Sequence, residues 1–142
     1  MPVARVVLER RLTCVEKHRM LASSIGWILV GSGVVTAAAG LAALLFPQLF
    51  LRLGFGVENP LRTLTFFVQH WGVLIFVVGA LIVYSAYAPT VRAPVLAAAA
   101  IEKFAIGLLT FFGPLKRTPA LTAVAVGDAV FAILYVAYLA EV

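Results

Sequence analysis

Charge is what this sequence has least of: 12% of its 142 residues are Asp, Glu, Lys or Arg, whereas 63% are hydrophobic. Soluble domains carry about 25% charged residues, so water is excluded as the main solvent of this chain. Cysteine is nearly absent. Cys14 stands alone, which excludes an intramolecular disulfide and any cysteine-based metal site within one chain. Histidine is limited to His18 and His70, too few for a haem gripped by facing axial ligands inside the membrane. There is no Cys-x-x-Cys-His, no glycine-rich phosphate loop, no His-Glu-x-x-His and no nucleophile elbow. The common self-contained catalytic motifs and a self-contained haem or metal site are therefore not expected, and no catalytic residue can be named from a motif.

What the sequence does have is long apolar runs. A helix needs about 20 mostly apolar residues to cross the hydrocarbon core, where every backbone N–H and C=O must be paired within its own segment. Four stretches qualify, at about residues 24–46, 64–88, 95–112 and 120–140. They predict an all-α fold, a transmembrane four-helix antiparallel bundle over 24–142, preceded by a basic segment over 1–23.

The net charge of +5 does not point to nucleic acid, because five of the eleven basic residues (Arg5, Arg10, Arg11, Lys17 and Arg19) precede the first span. Such a cluster attracts anionic head groups at about 1 kcal/mol per residue and holds an N-terminus in the cytoplasm. Arg92 then falls on the same side, with Arg52, Arg62, Lys116 and Arg117 opposite. Both termini are expected to be cytoplasmic, in the bacterial cytoplasmic (inner) membrane. A secretory signal peptide is the rival reading of the N-terminus, given Ala37-Ala38-Ala39. The long leader and an apolar run beyond the 7 to 15 residues typical of a signal core favour a signal anchor instead. Val3, Val6, Val7, Leu12 and Val15 are interrupted by charges on all sides, so the leader shows no clean amphipathic face.

Boundary residues agree with the hydropathy. Ser23 and Ser24 can cap the first helix and Pro47 marks its end, followed by a turn-rich loop to Thr63. Pro89, Arg92 and Pro94 mark a tight turn, with proline opening the third helix. Gly113-Pro114 stops that helix. Thr118 can cap the fourth, with Pro119 just inside. Tyr84 and Tyr87, and likewise Tyr135 and Tyr138, suit the head-group level. Gly26, Gly33 and Gly40 in the first span repeat every two turns, as do Gly72, Gly79 and Ala86 in the second. Stripes of small residues form grooves that let two backbones approach closely, and these two are predicted to face each other with a left-handed crossing.

Three ionisable residues fall well inside spans: Glu102 and Lys103 in the third and Asp128 in the fourth. Each costs a few kcal/mol at mid-membrane unless it faces the bundle interior, a partner or water. At about 1.5 Å per residue, Glu102 and Asp128 both come out near half depth and could share a cavity. Lys103 is turned about 100° from Glu102, but its long stem can reach Asp128. Gln69 and His70 join this set if the second helix starts near Leu64. They form an interfacial cap if it starts near Trp71. The five residues make either a ligand or proton site or a polar network that fixes helix register.

The order of Phe46-Pro47-Gln48-Leu49-Phe50-Leu51-Arg52-Leu53-Gly54 after the first span, His70-Trp71-Gly72 in the second and Ala100-Ile101-Glu102-Lys103 in the third resembles the DoxX-like and DUF4345-type small four-helix membrane proteins. The resemblance covers most of the chain after Ser24. The DoxX group includes a subunit of a thiosulfate:quinone oxidoreductase, so the resemblance implies a link to quinone or respiratory chemistry.

Three functions follow in order of preference. The first is a non-catalytic module of the lipid bilayer, binding a lipid, quinone or other lipophile or acting as accessory subunit of a larger complex. Phe66, Phe67, Phe76, Phe104, Phe111, Phe112 and Phe131 are available as apolar walls. The second is an enzyme or quinone-linked oxidoreductase component using Glu102, Asp128 and His70 as acid/base groups. The third is a proton- or cation-coupled transporter, acting as a homo-oligomer because one four-helix unit offers little room for a pathway.

Overall fold

The computed structural model describes residues 25–114 and 117–141. Ser23 and Ser24, Cys14, His18, the hydrophobic and basic residues of the leader and Lys116 lie outside the described residues. Within them the chain forms five helices: α1 (Ile25–Leu45), α2 (Pro47–Phe55), α3 (Arg62–Tyr87), α4 (Pro89–Phe112) and α5 (Pro119–Glu141). All but α2 are long and apolar enough to cross a membrane, the architecture of an integral membrane protein. Their outward faces carry large apolar side chains such as Trp27, Phe66, Ile101, Phe112 and Ile133, as a lipid-facing surface requires.

The helix α2 was not expected, since the segment after Pro47 reads as loop. Pro47 occupies the first turn, where its missing N–H costs nothing. Gly56 closes the helix in the left-handed region at φ 69°, a conformation that favours glycine. Between them Leu51 turns inward, and Phe50, Phe55 and Trp71 pack around Leu51, Ala43 and Val68. The α2 end of the bundle is thereby plugged with apolar side chains. It is tied to α5 as well: Thr118 accepts from the Leu121 N–H (3.1 Å), the expected N-cap, and its hydroxyl donates to the Gly54 carbonyl (2.5 Å).

At the opposite end α4 begins at Pro89, six residues earlier than the sequence suggests, and Pro94 sits inside the helix. Proline at the first helical position is preorganised for helix, and Pro94 follows within the second turn, close to the end. Arg92 is consequently a helical residue, 9% exposed, and not part of a solvated turn. Its guanidinium donates to the Ser85 and Ala86 carbonyls (3.0 Å each), two of the acceptors that the C-terminus of α3 leaves unpaired, and to the Tyr138 hydroxyl (3.2 Å).

The glycine stripes do meet. A Cβ on Gly33 would lie 2.8 Å from the Gly79 carbonyl oxygen, and one on Gly72 would lie 2.8 Å from that of Gly40. Added at Gly40 or Gly79, it would press into the backbone at Phe76 or at Ala37. The stripe ends sooner than expected, because a Cβ on Gly26 would meet nothing within 4 Å. The close approach is therefore confined to the middle of α1 and α3.

Candidate functional site

Three charges fall near mid-span in the sequence, and the structure brings two of them into contact. Lys103 is 1% exposed, its stem running through the interior from α4. Its Nζ donates to Asp128 Oδ1 on α5 and to Thr36 Oγ1 on α1 (3.2 Å). Three helices thus converge on one ammonium. Two of its three N–H donors are engaged, and Asp128 balances its charge. The geometry is that of a partly buried ion pair with hydrogen-bond support, Lys103 enclosed and Asp128 19% exposed toward the cavity, the condition under which such a pair is tolerated in a low-dielectric interior.

One helical turn along α1 and two along α5, the polar contacts continue. Tyr135, fully buried, donates from its hydroxyl to Ser32 Oγ (2.6 Å), which donates to the Leu29 carbonyl (3.3 Å). From the sequence Tyr135 reads as a head-group residue beside Tyr138, but it is an interior one. Its spacing of seven from Asp128, two turns on the same face, was the available signal. Ser32 and Thr36 likewise share a face of α1 and were not singled out.

Glu102 stands apart from this ladder. It is partly exposed, yet its Oε2 is buried with no hydrogen-bond partner among the described residues. Gln69 and His70 do not join it. The helix α3 starts at Arg62, so both are helical, but Gln69 points to α1 and donates from Nε2 to the Leu44 carbonyl (3.3 Å). His70 is exposed on the outward face of α3. The 100° step between neighbours carries its ring away from the bundle.

A cavity of about 380 Å³ lies against the ion pair. Glu102, Lys103, Asp128 and Thr36 form its polar wall, and Phe50, Trp71, Ile75 and Phe131 much of the rest. Val35 and Ala39 of α1 and Ala123 and Val124 of α5 line it while remaining exposed, so it opens sideways between these two helices. An apolar groove of about 260 Å³ continues toward the α2 end, sharing Phe50, Trp71, Ile106 and Val124 with it. A third, also apolar, hollow of about 380 Å³ touches Trp71 and Ile106 from the side of Phe67 and Val68. Of the seven phenylalanines expected as walls, Phe131 alone lines the polar cavity and Phe67 the third hollow. Phe66, Phe76, Phe104, Phe111 and Phe112 face outward. Trp71 and Phe50 supply the aromatic surface instead, their rings 5.8 Å apart.

The site thus consists of a mid-span chamber with one cation, two carboxyl groups and an opening at the bundle's side. Among the described residues no three His, Cys, Asp or Glu side chains gather as metal ligands do. Neither a protein family, a curated protein nor a solved structure matches the chain.

Proposed function

We propose that this chain is a small integral membrane protein that binds a lipophile between its helices, alone or as accessory subunit of a larger membrane complex. The observation that carries this reading is the laterally open cavity of about 380 Å³ in which aromatic walls meet a few convergent polar groups. That size falls in the range of about 300–1,000 Å³ and that lining in the composition usual for small-ligand sites. The reading includes kinship with the DoxX-like and DUF4345-type bundles and a place in the bacterial cytoplasmic membrane with both termini inside. The residues supporting that kinship are those around Phe46, His70 and Glu102.

Gly127 offers the test. It lines the cavity, and a Cβ there would meet nothing within 4 Å, so Gly127→Phe fills the chamber without pressing on the backbone. Protein extracted with its native lipid in polymer-bounded discs is expected to retain a lipophile in near-stoichiometric amount by mass spectrometry. Gly127→Phe is expected to lose it while keeping its thermal stability. A wild-type protein without such a compound, or a plugged variant that keeps it, would rule the reading out.

A further inference from the structure

The order of polarity along the cavity restricts what can occupy it. The ionisable groups sit at the middle of the spans: Glu102 is the fourteenth of 24 residues in α4, and Asp128 the tenth of 23 in α5. The apolar groove, lined by Phe46, Leu49, Phe50 and Leu53, runs from there toward the α2 end. A bilayer phospholipid has the opposite order, with its head at the interface and its chain ends at mid-plane. Seated here, it would lay hydrocarbon against the mid-span polar wall and leave Glu102 Oε2 without the donor that burial demands.

The polar wall is unbalanced as well. Two carboxyl groups face one ammonium, and two of that ammonium's three donors are already directed at Asp128 and Thr36. Glu102 Oε2 has no partner among the described residues. Acceptors therefore outnumber donors, and a ligand head that also only accepts would add to the excess.

We infer that the cavity's ligand is a single-headed lipophile whose head group donates hydrogen bonds, a hydroxyl or amino group received by the Glu102 and Asp128 carboxyl groups, with its apolar body in the groove beneath α2. This rests on the lipophile-binding reading and narrows it: a keto or ester head can take the remaining Lys103 N–H but leaves Glu102 Oε2 without a donor, and a phospholipid has the wrong order of polarity. The ligand enters from the bilayer between α1 and α5, where the cavity is open.

The chain has two tryptophans, Trp27 and Trp71, and Trp27 is 81% exposed and lines none of the three hollows. Trp27→Phe therefore leaves Trp71, which borders all three hollows, as the sole fluorophore. In lipid nanodiscs this protein is titrated with bromine-tipped quenchers at equal mole fraction: a long-chain alcohol, the matching amine, the matching methyl ketone and the plain bromoalkane. The alcohol and amine are expected to quench saturably at about tenfold lower mole fraction than the ketone or alkane, the discrimination one charge-assisted hydrogen bond supplies. Glu102→Gln, whose carboxamide both donates and accepts, is expected to narrow that gap while leaving the Trp71 emission maximum unchanged. Ketone binding as tight as alcohol binding, an unaltered gap in Glu102→Gln, or displacement of the alcohol by brominated phosphatidylcholine would overturn the inference while the lipophile-binding reading stands. If no quencher saturates, or if Gly127→Phe saturates as the parent does, both fall together.

Discussion

At the scale of single residues, the dominant fact is a lysine inside a membrane bundle. Lys103 is held by Asp128 and Thr36, and its removal leaves Asp128 and Glu102 as two carboxyls with no compensating cation between them. Lys103→Met is expected to destabilise the folded state by about 3–5 kcal/mol, the cost of orphaning one partner of a buried pair. Adding Asp128→Leu is expected to restore most of that loss, because replacing both partners by apolar groups is often neutral. Reversible unfolding in mixed micelles of mild and denaturing detergent reads both; a neutral single variant would show that the pair holds nothing together. The Tyr135 to Ser32 contact is weaker in kind, neutral to neutral, so a double-mutant cycle of Tyr135→Phe and Ser32→Ala should give a coupling of about 0.6 kcal/mol. Glu102, Lys103 and Asp128 were legible because a charge in an apolar run stands out. Tyr135, Ser32 and Thr36 were not, since hydroxyls are common in membrane helices and only the facing helix shows that they are interior. Gln69 and His70 illustrate the converse: both are polar, but helix phase turns one toward the α1 carbonyl of Leu44 and the other outward.

At the scale of elements, length and hydropathy located all four spans, since a run of apolar residues long enough to cross a bilayer has little alternative to helix. The errors lie at helix ends, where composition changes gradually and proline is ambiguous. Pro89 and Pro94 can each open a helix, and the burial of Arg92 against the last α3 carbonyls goes with the earlier start. The glycine stripes were legible in their period but not in their extent, which depends on where α1 and α3 part. That difference makes a controlled test across the two stripes. Gly40→Ala and Gly79→Ala each place a methyl into opposing backbone and are expected to lower the unfolding temperature, at a cost of about 1–3 kcal/mol. Gly26→Ala meets open space and is expected to be neutral or to stabilise by up to about 1 kcal/mol through helix propensity alone. Equal losses at all three positions would mean that glycine serves helix flexibility and not close packing.

At the scale of the whole molecule, the two ends of the bundle differ in chemistry, and that difference bears on its orientation. The α2 end carries Arg52, Arg62 and Arg117 beside a plug of aromatic side chains, while the other end carries Arg92, buried and consumed in capping α3. A residue committed to carbonyl acceptors inside the fold contributes little to the loop charge that biases insertion, so among the described residues the positive-inside signal favours the α2 end as cytoplasmic. The cluster of five basic residues before α1 argues the opposite, and it is the larger set, placed next to the first span, which usually dominates topology. The proposed orientation therefore has the leader inside and the turn between α2 and α3 outside. Cys14 makes it testable with the native chain, because no other thiol competes. In intact bacterial spheroplasts a membrane-impermeant maleimide is expected to leave Cys14 unlabelled until the membrane is permeabilised. In a Cys14→Ser background, Glu58→Cys, at an exposed position of that turn, is expected to label at once. The reverse pattern would place the α2 end in the cytoplasm, and equal labelling at both sites before permeabilisation would indicate dual insertion.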